Sequence, residues 1–217
     1  PIMIIAVSPG DGLSEVLRSM GVAAIVPGGQ TMNPSTEELL QAIEMLPCNQ
    51  VIVLPNNGNV VMSARQAAAL SGKEARVVPT ETVPQGIAAL VAFNYEGDLE
   101  SNVATMEEAA AAVQTGEVTW AIRDAKLNGV QVKEGQFIGL LNGVLEVAGE
   151  EETAVVEGLL QRMRAAEAEL ITIYYGSDVT AADGQVLAER VRREYVDQEV
   201  ELVYGGQPYY RYILSAE

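Results

Sequence analysis

Short apolar runs alternate with helix-spaced segments through the first half of the chain. The runs Ile2–Val7, Ala23–Pro27, Gln50–Pro55 and Ala75–Pro79 read as strands, and each leads through a polar loop into a helix. After the first, Leu13, Val16, Leu17 and Met20 recur at i, i+3, i+4 and i+7, one face of an amphipathic helix ending near Gly21. The next three helices run from about Ser35 to Met45, from about Val60 to Leu70 with Ser71-Gly72 as C-cap, and from Gln85 to Phe93. Strands of near-continuous Val, Ile and Leu are those buried on both faces. Four strand–helix units in succession predict a parallel layer with right-handed crossovers.

After Phe93 the pattern changes. A polar stretch, Asn94–Glu100, precedes an Ala- and Glu-rich helix from Ser101 to near Gly116. Val118–Leu127, Phe137–Leu141 and Val144–Val147 are then punctuated by Asn128-Gly129, Glu134-Gly135 and Asn142-Gly143, which predicts an antiparallel meander. Helices near Thr153–Ala168 and Ala181–Tyr195 alternate with strands Glu169–Tyr175, Glu199–Tyr204 and Tyr209–Leu214. The expected fold class is therefore α/β: residues 1–95 form a parallel, Rossmann-like lobe, and residues 96–217 an α+β lobe with a mixed sheet. No internal repeat is evident.

Parallel sheets receive ligands and partners at the carboxyl ends of their strands, where loop polar groups and helix N-termini converge. The loop Gly28-Gly29-Gln30-Thr31-Met32-Asn33-Pro34-Ser35 is the first candidate there. Its glycines permit close backbone approach. Either Asn33 caps the next helix with Pro34 at its first position, or Ser35 caps it with Glu38 completing a capping box. Capping leaves Gln30, Thr31 and an exposed Met32 unexplained, so these are candidates for contact with a ligand or partner. Asn56-Asn57-Gly58-Asn59, at what reads as the adjoining strand end, either shapes its own loop or forms an amide-lined patch beside Thr31. Thr80, Thr82 and Gln85 extend the rim at the fourth strand.

Composition narrows the chemistry. The formal charge of −17 opposes binding to a nucleic-acid backbone, and no apolar run approaches the roughly 20 residues that span a bilayer. With no histidine in the chain, Ser-His-Asp and Cys-His catalysis and His-based zinc sites are excluded. Lone Cys48 precludes an intramolecular disulfide; it fits a reducing cytoplasm and a buried, inert thiol. No Walker loop, dinucleotide fingerprint or CxxC pair occurs. Arg123-Asp124 reads as an ion pair within a strand, and Tyr174, Tyr175, Tyr204, Tyr209, Tyr210 and Tyr212 crowd the last strands. A chain that starts at Pro1 and enters a strand at once reads as part of something longer.

The segments GGQTMNPST, VLPNNGNVVMSARQAA, VVPTETVPQGIAAL, VTWAIRDAKLNG and GGQPYYRYILSAE resemble, over essentially the whole chain, one bacterial family. It is the C-terminal region of the large subunit of fatty acid kinase, of the FakA type, earlier described as dihydroxyacetone-kinase-like. The resemblance implies a DegV-like fold. It also implies ATP and magnesium chemistry in a separate N-terminal domain, with no cofactor in this chain. DegV proteins that carry fatty acids hold the carboxylate with a Thr-Ser-x-Pro-Ser loop, a Ser-Gly loop and a histidine. Thr31, Asn33, Pro34 and Ser35 are similar to the first by position; Asn56–Asn59 replaces the second, and the histidine has no counterpart. The implied role is a non-catalytic domain that docks a fatty-acid-binding DegV-type partner, or that forms a homodimer. A fatty-acid carrier in its own right, and a small enzyme acting on a phosphorylated or carboxylated metabolite, are the alternatives.

Overall fold

From Ile4 to Ser8 every residue of the first strand is buried, as a strand covered on both faces requires. The computed structural model describes residues Pro1–Glu217. Its first part comprises β1 (Ile2–Ser8), α1 (Asp11–Ser19), β2 (Ala24–Pro27), α2 (Thr36–Met45), β3 (Gln50–Leu54), α3 (Val61–Leu70), β4 (Glu74–Val77), α4 (Val83–Ala92) and α5 (Leu99–Ala111). The four strands pair in parallel in the order β2-β1-β3-β4.

The two-residue alternation of strand side chains divides the apolar residues into two cores. Ile4, Ala6, Ile52 and Leu54 pack with Leu17, Leu90, Leu99 and Met106 of α1, α4 and α5. Ile5, Val7, Val51 and Val53 pack with Leu39, Ile43, Ala64 and Ala67 of α2 and α3. Cys48 is buried in the second core and donates to the Gln50 carbonyl. Truncating a fully buried residue such as Leu17 or Met106 to alanine would cost about 2–5 kcal/mol.

The chain divides into compact units at Val113/Gln114, not near residue 95 as the composition shift suggested. The reason is α5. Its Leu99, Met106 and Ala110 complete the first unit's core, so the helix after the polar stretch belongs with the parallel sheet.

The second unit contains β5 (Gln114–Trp120), β6 (Ala125–Leu127), β7 (Val130–Val132), β8 (Phe137–Leu141), β9 (Val144–Gly149), α6 (Glu152–Arg162), β10 (Leu170–Tyr175), α7 (Ala181–Glu194), β11 (Glu199–Tyr204) and β12 (Tyr212–Ala216). Six strands form a mixed sheet in the order β11-β10-β12-β5-β8-β9, in which only β10 and β11 run parallel. β6 and β7 form a separate hairpin. Val155, Leu159, Leu187 and Val191 of α6 and α7 pack with Val118, Ile171, Ile173 and Leu214 of the sheet.

Several expected boundaries moved for local reasons. Gly116 is inside β5 because a Cβ there would lie 2.7 Å from Met163 Sδ and 2.8 Å from Leu159 Cδ2; glycine lets α6 seat on the sheet. The run Val118–Leu127 is broken, and Arg123-Asp124 falls in the loop between β5 and β6 rather than in a strand. The helix expected to reach Ala168 stops at Arg162, before Arg164 takes a left-handed φ of 56°. The last strand begins at Tyr212, after Tyr209 takes a φ of 74°. Gly72 does not cap α3 in a left-handed turn; Ser71 ends the helix in extended backbone.

Candidate functional site

The residues expected at the rim lie in the loops at the carboxyl ends of β2, β3 and β4 or, for Gln85, in the first turn of the helix that follows. The sheet order corrects their arrangement. β1 lies between β2 and β3, so the Asn56–Asn59 loop is not adjacent to Thr31 but two strands away, about 9–10 Å. The β1 loop, Pro9-Gly10, and the first residues of α1 stand between them. In a sheet of order 2-1-3-4 the connections diverge at β1 and β3, and the crevice at that point is the favoured ligand position.

Asn56 occupies that crevice. Its backbone has a φ of 55°, which asparagine tolerates better than most residues, and the residue is 7% exposed. Asn56 Nδ2 donates to the Val7 carbonyl at 3.0 Å, and its Oδ1 accepts from the Thr80 hydroxyl at 2.8 Å. Thr80 is fully buried. Both residues are therefore occupied in tying β1, β3 and the loop after β4 together.

Three other candidates act in local structure. Ser35 is the N-cap of α2, its Oγ accepting from the Glu38 N–H at 3.1 Å, which decides for Ser35 over Asn33 as the cap, without the return bond from Glu38 that a capping box would add. Thr82 caps α4 by accepting from the Gln85 N–H, while Gln85 Oε1 accepts from the Glu81 N–H at 2.7 Å. This is close to a capping box, with the return bond displaced by one residue. Gly28 and Gly29 have no positive φ but are closely packed: Cβ atoms there would lie 2.6 Å from Pro34 Cδ and 2.7 Å from Pro9 Cβ.

The remaining candidates face outward. Gly29 and Met32 exchange backbone hydrogen bonds, N–H to O at 3.0 and 3.4 Å, so Gln30 and Thr31 form the tip of a tight turn. Gln30, Thr31, Asn33 and Asn59 are exposed, Asn57 is half-buried, and Met32 is 71% exposed. Met62, in the first turn of α3, is 63% exposed and was absent from the expected set. Thr36 Oγ1 donates to Gln66 Oε1 at 3.1 Å, fastening α2 to α3 near this end. A flexible apolar side chain in the first turn of a helix, straight after a rim loop, is the signal the sequence offers.

The chemistry offered is amide, hydroxyl and thioether. The hydroxyls flanking the β1 loop are not poised as nucleophiles: Ser14 Oγ, in α1, donates to the Gly10 carbonyl and meets Ser8 Oγ, at the end of β1, at 2.9 Å, with no carboxylate in either bond. No three Cys, Asp or Glu side chains converge to hold a metal ion, and no helix is long and apolar enough to cross a membrane. Of the tyrosine cluster, Tyr174, Tyr210 and Tyr212 are buried, whereas Tyr204 and Tyr209 are exposed at the end of the second unit's strands.

Comparison with solved structures places the fold. The DegV family protein of Corynebacterium glutamicum matches with a TM-score of 0.72 at 15% identity, covering 100% of this chain and 97% of that one. The fatty acid kinase (Fak) B3 protein of Streptococcus pneumoniae, loaded with linoleic acid, matches with a TM-score of 0.64 at 12% identity, covering 100% and 99%. The chain thus has the DegV-family fold. An uncharacterized protein of Staphylococcus haemolyticus is 44% identical over 214 residues, which are 99% of this chain and 39% of the relative. The chain spans well under half the length of the curated relatives it matches. The family model for the FakA-like, C-terminal region of fatty acid kinase matches residues 3–217, and the chain belongs to that family.

Proposed function

We propose that this chain is a non-catalytic docking domain of a fatty acid kinase, which receives a fatty-acid-carrying DegV-type partner at the strand-end rim of its first unit. Acyl phosphate formation with ATP and magnesium belongs, on this reading, to other parts of the longer relatives, in the cytoplasm. The observation that carries it is the division of the rim's polar groups. Those in the crevice, Asn56 and Thr80, are consumed by bonds within the fold, while Thr31, Met32, Asn33 and Asn59 project outward. A small-molecule site draws convergent polar groups inward, whereas a docking surface presents them at its edge around soft apolar contacts. Methionines such as Met32 and Met62 serve the latter because their flexible thioethers adapt to a partner.

Native mass spectrometry of the purified chain, alone and mixed with an acyl-loaded DegV-type protein, tests this directly. The expected result is a complex in which lipid stays on the carrier. Lipid co-purifying with the chain alone would favour a carrier of its own, and acyl phosphate made by the isolated chain from ATP and fatty acid would favour an enzyme. Thr31→Ala and Met32→Ala should weaken capture while leaving the melting temperature unchanged. Unaltered capture by both variants would remove the rim from the interface.

A further inference from the structure

The chain contains three Asn-Gly pairs, and the structure treats them differently. Asn128 and Asn142 have left-handed φ angles of 51° and 49° and sit in two-residue hairpin turns closed on each side by the ladder pairs Leu127–Val130 and Leu141–Val144. The amide of Asn142 is engaged at both ends, Oδ1 accepting from Thr115 N–H and Nδ2 donating to Gln114 Oε1, each at 2.9 Å. Asn128 Nδ2 donates to the Leu145 carbonyl at 3.2 Å. Asn57 is the exception. Its Nδ2 makes no hydrogen bond, its Oδ1 accepts from the Asn59 N–H at 2.9 Å, and no ladder flanks it. Gly58 is exposed, its N–H is not engaged, and the nearest atom to a Cβ there is Glu81 Cδ at 3.8 Å.

We propose that Asn57 is a site of spontaneous deamidation, a modification that places a new carboxylate on the rim. The Gly58 nitrogen loses its proton to solvent and bonds to Asn57 Cγ. The Cγ–Nδ2 bond then breaks, and ammonia leaves with a proton from water. Water opens the cyclic imide at either carbonyl, giving aspartate or isoaspartate; no oxidation or reduction is involved. Gly58 offers no side chain to hinder the ring, and the unbonded Nδ2 is free to depart. The Asn59 N–H donates to the oxygen on which negative charge develops, the same device by which backbone donors stabilise oxyanions.

The consequence for function rests on the docking reading; the chemistry does not. A carboxylate at Asn57 adds to a chain already at −17, and isoaspartate lengthens the backbone by one carbon between Pro55 and Gly58. Partner capture by the converted form should therefore fall.

The test is incubation of the whole chain in mildly alkaline buffer, followed by peptide mapping that resolves aspartate from isoaspartate. A single oxyanion donor is worth roughly 100-fold inside an enzyme, so at this exposed site Asn57 should convert about 10-fold ahead of Asn142 and Asn128. Equal rates at the three pairs, or an intact Asn57, would overturn the proposal. Gly58→Ala, at a position with room and no positive φ, should fold normally and slow conversion by about the same factor; an unchanged rate would also overturn it. Repeating the incubation with saturating acyl carrier separates the two readings. Slower conversion supports both, whereas an unchanged rate leaves deamidation standing and counts against docking over Asn57.

Discussion

Thr80 Oγ1 accepts from the Asn56 backbone N–H at 3.0 Å and donates to the Asn56 side-chain oxygen at 2.8 Å. One hydroxyl thus fixes both the left-handed backbone and the rotamer that sends Nδ2 to the Val7 carbonyl. Gly86 in α4 completes the fit, since a Cβ there would lie 2.2 Å from Asn56 Oδ1. Asn56→Ala should cost about 3 kcal/mol, combining an unmet buried carbonyl with a non-glycine residue at positive φ. Thr80→Val keeps the shape but strands two polar groups and should cost about 2 kcal/mol. Urea unfolding would measure both, and losses under about 0.5 kcal/mol would show that water replaces these bonds without penalty.

Lys73 is committed to the fold. Its ammonium donates to the carbonyls of Ile43 at 2.8 Å, Glu44 at 3.0 Å and Leu46, closing the C-terminal end of α2, where the helix dipole is negative. Glu44 meanwhile accepts from Ser71 Oγ and the Gly72 N–H, and these bonds hold its carboxyl below the usual carboxylate range. Lys73→Met retains most of the stem while removing the charge, and should lower stability by about 1–2 kcal/mol. An effect that vanished in high salt would mark it as an ordinary surface charge.

Glu117 lies on β5 between Ile213 of β12 and Leu140 of β8, with Thr115 and Thr119 two residues away along its own strand. Desolvation alone raises its pKa to about 7. Between its ordinary value and 7 the folded state holds a proton that the unfolded chain has released. Stability contributed by the protonated acid is therefore present at low pH and declines as pH rises through that window. Glu117→Gln should flatten the slope, and the native chain should lose up to roughly 3 kcal/mol relative to the variant between pH 5 and 8. Parallel pH profiles of the two chains would refute this.

What the sequence made legible divides along physical lines. The parallel layer was readable because its strands are buried on both faces and Ser35 caps α2 by accepting from the N–H three residues on; Thr82 and Asp98 do the same for α4 and α5, which start two residues before the expected Gln85 and Ser101. Capping is local, so local sequence encodes it. The position of α5 was not readable, because it depends on Leu99 and Met106 meeting residues far away in sequence. Strand order was also invisible: nothing in the loops shows that β1 separates Thr31 from Asn57. At the rim, outward-facing Gln30 and Thr31 look no different in sequence from inward-facing Asn56 and Thr80. Only long-range bonds distinguish them, from Asn56 to Val7, 49 residues away, and between Thr80 and Asn56, 24 residues apart.

Trp120 gives the second unit a built-in reporter, being the chain's single tryptophan. The Arg211 guanidinium lies over its ring at 4.9 Å from the centroid and pairs with Glu152, at the start of α6. The arginine and glutamate side chains are only 15% and 20% exposed, so this pair escapes most of the solvent screening that weakens surface ion pairs. The hydrogen bond from Arg211 to Glu152 raises the arginine pKa further, so the charge persists across the accessible pH range. Arg211→Lys keeps the charge but loses the planar fork and its stacking on the indole. It should cost about 1–2 kcal/mol and shift the Trp120 emission, whereas Arg164→Lys, in an exposed pair with Glu167, should do neither. If Arg211→Lys left emission and stability unchanged, the guanidinium plane would have no role beyond its charge, and α6 would be held to the sheet by its apolar face alone.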